Sequence, residues 1–261
     1  MKRAKLNKYI EYATTKIKIL YKEKKFYSNN HRLKYILERQ KNSNDLIVVY
    51  SGIPRPGLKA RYNYNRTLSN IKANKLFILD DFGYDQRGCF YLGKNGDFAI
   101  EKATRVLVGK IKDDLNIKRT FHVGSSKGGF AALYFGLRDD GSIIISGGPQ
   151  YILGDHFLKN HRYMENTVPY IFGENYSEKD VKKLNSIVSD VISETKGNNC
   201  QIHLHYSEKE FTYEDHVKHL LKDLNDNGIY FCEDIAHYEN HAEIAYYYSE
   251  FLISTLKEFI E

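Results

Sequence analysis

Residues 120–133 read TFHVGSSKGGFAAL. A short apolar run at 120–123 has the length and composition of a buried strand, and the small and apolar residues from Gly128 onward continue as a helix. Between them Gly124-Ser125-Ser126-Lys127-Gly128 fits G-x-S-x-G. Each residue type in that turn has a mechanical reason. The reversal from strand to helix is so tight that its flanks leave no room for side chains, and the central serine is forced into a strained conformation that exposes its hydroxyl. The helix N-terminus directly behind it supplies N–H groups and the positive end of a dipole where an oxyanion would form. Ser126 is therefore the candidate nucleophile, and the Lys127 N–H one candidate oxyanion donor. The spacing fits neither a P-loop nor a dinucleotide fingerprint.

Outward from this turn, short apolar runs at 46–50, 76–79, 142–146, 202–206 and 228–231 read as further buried strands. Candidate helices cover 101–115, 128–138, 177–195, 213–227 and 241–260. Alternation of this kind needs crossover connections, and right-handed crossovers place helices on both faces of a mostly parallel sheet. The expected fold is a three-layer α/β sandwich, with all 261 residues forming one domain. Ahead of it, 17–21 and 33–37 flank the polar turn Ser28-Asn29-Asn30, which predicts an antiparallel edge hairpin within an N-terminal extension, 1–41. The aromatic-rich stretch 151–175 has no clean period and is expected as a lid-like insertion above the strand ends.

With 42% hydrophobic and 28% charged residues and only 4 prolines, the composition excludes disorder, collagen-like repeats and Pro-rich linkers. No apolar run approaches the roughly 20 residues of a membrane-spanning helix. The N-terminus, MKRAKLNKYIEYATTKIKI, is basic but lacks a continuous apolar stretch and a small-residue cleavage site, so a cytoplasmic location is expected. Cys89, Cys200 and Cys232 are odd in number and lack metal-ligand spacing, as in a reducing compartment; no metal site is expected. The net charge of +6 is spread through an acidic background. No nucleic-acid motif accompanies it, and the most basic segment, the first forty residues, reads as a solvated face or one drawn to an anionic polymer or membrane surface.

A nucleophilic serine needs a base, and the base needs an acid to orient it, in the chain order serine, carboxylate, histidine for a strand-to-helix turn of this kind. Of the eight histidines from His156 onward, His203 and His205 alternate within a strand, and His216 and His219 sit on a helix. His241 follows the polar loop Tyr238-Glu239-Asn240 at the start of the last helix, where a base reaches over the strand ends; His237 is the alternative. The acid is expected just beyond the strand at 201–206. Glu210 is the choice, with Glu208 and Asp215 as alternatives. The second oxyanion donor is expected from the loop after 46–50, Ser51-Gly52-Ile53-Pro54-Arg55-Pro56-Gly57, as the N–H of Gly52 or Ile53.

The combination of Tyr50-Ser51-Gly52-Ile53-Pro54, Tyr62-Asn63-Tyr64, Arg87-Gly88 shortly before an aromatic pair, Gly124-Ser125-Ser126-Lys127-Gly128-Gly129 and Gly148-Pro149-Gln150 resembles the α/β-hydrolase-type O-acetyltransferases of bacterial capsular polysaccharide loci. It is also similar to the acyltransferase-like domain of accessory Sec system proteins. The resemblance runs from about Leu46 to the C-terminus, and GSSKGG is its most specific element. It implies an α/β-hydrolase-like sandwich with Ser126 as acetyl-accepting nucleophile, His241 as base and a carboxylate near Glu210, where those relatives usually carry an aspartate. It implies transfer of acetyl from acetyl-CoA, the donor substrate with no bound cofactor, to a sugar hydroxyl of a poly- or oligosaccharide. It also implies peripheral association with a membrane-bound capsule assembly complex. Arg55, Lys59, Arg61, Arg87 and Lys127 are the basic residues expected to meet CoA phosphates or an anionic glycan at the mouth of the site, and Gln150 is a further substrate-binding candidate.

Overall fold

The computed structural model describes residues 21–28, 31–159, 164–195 and 199–260. Eight strands form one sheet: β1 (Lys24–Ser28), β2 (His31–Glu38), β3 (Asp45–Tyr50), β4 (Asn74–Leu79), β5 (Arg119–Ser125), β6 (Ile143–Gly147), β7 (Gln201–Ser207) and β8 (Phe231–Ala236). Their spatial order is β1-β2-β4-β3-β5-β6-β7-β8. From β4 to β8 all neighbours run parallel, whereas β1 pairs antiparallel with β2, and β2 with β4.

The central strands are continuous apolar runs because both faces are covered. One face packs against α1 (Ala99–Asp114), α2 (Lys127–Gly136), α5 (Glu178–Glu194) and α6 (Lys218–Asp226); the other packs against α7 (Ile244–Ile260) and the segment around Leu68 and Ile71. Between α2 and α5 the described residues include two short helices, α3 (Leu153–Lys159) and α4 (Thr167–Phe172). In α5, Leu184, Ile187, Val188, Val191 and Ile192 form one buried stripe at helical spacing, and a capping box of Ser177 and Asp180 starts the helix. Every residue of α2 is buried. Its glycines permit this: a Cβ on Gly128 would stand 2.8 Å from the Tyr50 carbonyl oxygen, and one on Gly129 2.8 Å from that of Gly147.

The sandwich agrees with the sequence reading, with two local differences, both at the sheet edges. The hairpin exists, but its first strand is β1 and Tyr21 is helical; the remainder of the expected strand, 17–20, lies outside the described residues. The last strand starts at Phe231 instead of Gly228 and is half exposed, because it is an edge strand with a polar Glu233-Asp234 pair. The stretch 151–175 holds α3 and α4, and its Tyr151, Leu153, Phe157 and Ile171 enter the core. The order reversal that matters for the site is at β3: β4 lies on one side of it and β5 on the other. Loops leaving the C-terminal ends of β3 and β5 face each other across such a switch point, the usual place for a ligand crevice in an open parallel sheet.

Candidate active site

Ser126 stands between β5 and α2 with φ 56° and ψ −122°, a backbone conformation that L-residues adopt at a cost of order 1–3 kcal/mol. The surroundings hold it there. Its N–H donates to the Gly147 carbonyl at 2.8 Å. Gly124 is obligatory, since a Cβ would collide with the Gly128 backbone.

His241 begins the short 3₁₀ turn that leads into α7. Its Nε2 lies 2.9 Å from Ser126 Oγ, and its Nδ1 lies 2.8 Å from Glu210 Oε2. The carboxylate can only accept, so Nδ1 carries the proton and Nε2 accepts from the serine hydroxyl. Glu210, just past β7, is 4% exposed and also accepts from Thr212 Oγ1 at 2.5 Å. Gly148, with φ 41°, leaves the space this pair needs: a Cβ there would lie 3.3 Å from Glu210 Oε1 and 3.7 Å from His241 Cε1.

The alternatives stand elsewhere. Glu208 is exposed. Asp215 pairs with Lys159 at 2.8 Å. His237 is exposed and lines a separate cavity beside His205 and Asp234.

Ser126 and His241 open onto a cleft of about 610 Å³, whose lining includes Gly52, Ile53, Arg55, Arg61, Arg87 and Gln150. Of the two proposed oxyanion donors on the β3 loop, the Gly52 N–H is engaged, donating to Asn63 Oδ1 at 3.0 Å. The Ile53 N–H has no protein acceptor among the described residues, and Lys127, as the first residue of α2, has no helical acceptor.

The basic residues divide. Arg55 and Arg61 are exposed at the rim, and Arg87 is buried with its Nε donating to the Pro54 carbonyl at 3.0 Å. Lys59 is exposed and outside the lining. The Lys127 side chain corrects the sequence expectation. It is fully buried, pairs with the equally buried Asp80 at 2.8 Å and lies 5.2 Å from the Tyr91 ring centre, so it cannot reach a ligand at the mouth. Asp80 also accepts the N–H groups of Cys89 and Tyr91.

Sequence reasoning missed the supports of this arrangement. Tyr248 on α7 accepts from the Gly124 N–H at 2.9 Å and donates to the Ile145 carbonyl at 2.6 Å, which pins the helix behind His241 to the strand behind Ser126. Tyr64 packs edge-on against Tyr248, with its hydroxyl 2.5 Å from Ser125 Oγ, and burial pushes that phenol up to about 12. Among 22 tyrosines no local pattern marks Tyr248, and Tyr64 entered only as part of the Tyr62-Asn63-Tyr64 stretch, with no role attached.

No protein-family profile matches the chain, and no curated protein matches it by sequence. Solved structures do. The capsule O-acetyltransferase of Neisseria meningitidis serogroup A superposes with a TM-score of 0.74 at 20% identity, over 89% of this chain and 93% of that one. The chain has the α/β-hydrolase fold. A mutant of the same capsule enzyme, in complex with CoA, superposes with a TM-score of 0.71 at 19% identity, over 90% of this chain and 94% of that one. The Glycosylation Associate Protein (Gap123) complex from Streptococcus agalactiae gives 0.69 at 17% identity, over 91% of this chain and 47% of its own. FphF, a fluorophosphonate-binding serine hydrolase of Staphylococcus aureus, gives 0.61 at 10% identity, over 92% of this chain and 97% of its own. Among the described residues no helix is long and apolar enough to cross a membrane.

Proposed function

We propose that the chain is a serine-dependent acyltransferase that moves an acetyl group from acetyl-CoA to a hydroxyl of a bacterial surface polysaccharide. The observation that carries this reading is the line Glu210, His241, Ser126, with contacts of 2.8 and 2.9 Å, in a fold shared over 93% of the length of a capsule O-acetyltransferase. A mutant of that relative is in complex with CoA, which supports acetyl-CoA as donor here.

In this account Ser126 Oγ attacks the thioester carbonyl while His241 Nε2 takes its proton, and Glu210 holds the imidazole in the tautomer that accepts it. The oxyanion is met by the N–H groups of Lys127 and Ile53. As the C–S bond breaks, His241 returns the proton to the departing thiolate. The sugar hydroxyl then attacks acetyl-Ser126 and passes its proton to Nε2, and that proton goes to Ser126 Oγ as the ester bond to the enzyme breaks. Arg55 and Arg61 suit the CoA phosphates at the rim, and Arg87 stiffens the wall behind them. We read the chain as one catalytic domain, with 151–175 bordering the cleft. A cytosolic location beside a membrane-bound capsule assembly complex fits such a donor and acceptor.

The test is incubation with acetyl-CoA and candidate polysaccharides, followed by NMR of the glycan. New O-acetyl signals that require Ser126 support transfer. Release of acetate at a rate no polysaccharide changes would make the chain a serine esterase, which uses the same three side chains. No turnover with any donor would leave an accessory role in glycan or glycoprotein export.

A further inference from the structure

Gln150, on the cleft wall, is backed by a line of buried side chains. One end of its carboxamide lies 3.0 Å from His156 Nε2, His156 Nδ1 lies 3.1 Å from His216 Nε2, and His216 Nδ1 lies 3.2 Å from the backbone nitrogen of Ile152. The protons in this line have one arrangement. A backbone N–H only donates, so His216 Nδ1 accepts and the ring proton sits on Nε2. His216 Nε2 donates to His156 Nδ1, which leaves the proton of His156 on its own Nε2. His156 in turn donates to Gln150.

The two ends of a carboxamide are assigned from the network they join. A nitrogen facing His156 Nε2 would set donor against donor, so the Gln150 atom there is the carbonyl oxygen and the NH₂ takes the other end. A carbonyl oxygen at that other end would be buried with no hydrogen-bond donor among the described residues, which agrees with this assignment. Gln150 is 3% exposed and lines the same cleft as Ser126 and His241.

Neutral rings are required for this line, because a cationic His216 could not accept from Ile152. Burial lowers His156 to about 4 and His216 to about 3; Lys159 and the neighbouring histidines, His241 among them, act in the same direction against Asp215.

We propose that His216 and His156 form an orienting relay that turns the Gln150 NH₂ toward the cleft, as a donor to an uncharged oxygen of the ligand held at Ser126. His156 and His216 are then positioning residues, and Gln150 selects for a ligand with an acceptor at that point. The inference rests on the acyl-transfer reading for what the ligand is. An acceptor oxygen has two sources there, an amide carbonyl of the pantetheine arm of acetyl-CoA or a hydroxyl or ring oxygen of the sugar.

Two measurements test it. Long-range ¹H–¹⁵N NMR of the wild-type chain at pH 7 reads the tautomers directly, independent of any activity. The expected result is Nε2–H on both His156 and His216; an Nδ1–H tautomer or a cationic ring on either overturns the relay. Kinetics of Gln150→Glu then read the donor, since the variant keeps the size and still accepts from His156 but puts oxygen where the NH₂ was. Gln150→Met covers the case in which a buried carboxylate disturbs folding. KM is expected to rise at least ten-fold, with kcat changed far less, for the substrate that supplies the oxygen: acetyl-CoA if it is the pantetheine arm, the polysaccharide if it is the sugar. His216→Phe should raise the same KM to a smaller extent. Unchanged KM for both substrates in both Gln150 variants overturns the proposal. If the chain proves to be an esterase, the tautomers and the KM for the ester still read the relay, so the two accounts fail separately.

Discussion

Glu210 and His241 are 31 residues apart in sequence, yet their side chains meet at 2.8 Å, the acid wholly out of solvent and the imidazole 22% exposed. The pairing makes Glu210 the orienting acid of the proposed triad. Glu210→Gln keeps the shape but presents an amide that lets the ring adopt the wrong tautomer. We expect kcat to fall by up to about 10⁴-fold while the fold is kept. Asp215→Asn, which only loosens a surface pair with Lys159, should change kcat less than two- to three-fold, on the order of what exposed ion pairs contribute. Steady-state kinetics on a chromogenic acetyl ester compare the two, and equal losses would move the acid.

The strain at Ser126 gives a prediction about stability. Both Ser126→Ala and Ser126→Gly should abolish turnover, but only glycine tolerates φ 56° and ψ −122° freely. Ser126→Gly should therefore be the more stable of the two by about 1 kcal/mol, the strain relieved less the extra chain entropy of glycine. Denaturant titration of the variants checks the order.

Lys127 and Asp80 form an ion pair with neither side chain exposed. Lys127→Met leaves the carboxylate buried without its cation, and about 3–5 kcal/mol of stability should be lost. Adding Asp80→Asn removes the orphaned charge while leaving an acceptor for the N–H groups of Cys89 and Tyr91, so the double variant should recover part of the loss. Additive losses would mean that the two residues do not act as a pair.

Acid should weaken the fold before it protonates most carboxylates. His156 and His216 are lowered by burial to about 4 and about 3, and burial lowers His203 and His205 as well. Between about pH 6.5 and these values the unfolded chain binds more protons than the folded one, so stability rises with pH across that window. Full stability is expected above about pH 6.5, with a fall of roughly 1.4 kcal/mol per pH unit for each such proton below it. Unfolding free energies measured from pH 7.5 to pH 4.5 give the slope; a flat profile would contradict the buried, neutral histidines.

The chemistry was legible where it is local. The turn at Ser126 announces itself because glycine is required at Gly124 and Gly128 by close backbone approach, and the order of Ser126, Glu210 and His241 follows from which strand ends face the same side. Contacts between distant segments were not legible. Lys127 reads as a surface cation until Asp80, 47 residues earlier, is seen beneath it. The choice between Gly52 and Ile53 needed Asn63, and the anchoring of α7 needed the Tyr248 hydroxyl between β5 and β6. Edge strands were misplaced because their pattern is diluted: β1 and β8 face solvent on one side and carry charges there, so apolar content underestimates them.

The most direct test of the whole account is the mass of the intact protein after mixing with acetyl-CoA in the absence of glycan, followed by peptide mapping. The account predicts one added acetyl group located on Ser126, absent in Ser126→Ala, slowed in His241→Ala and discharged when the acceptor polysaccharide is added. An unmodified protein that nonetheless acetylates the glycan, or an acetyl group on any residue other than Ser126, would contradict it.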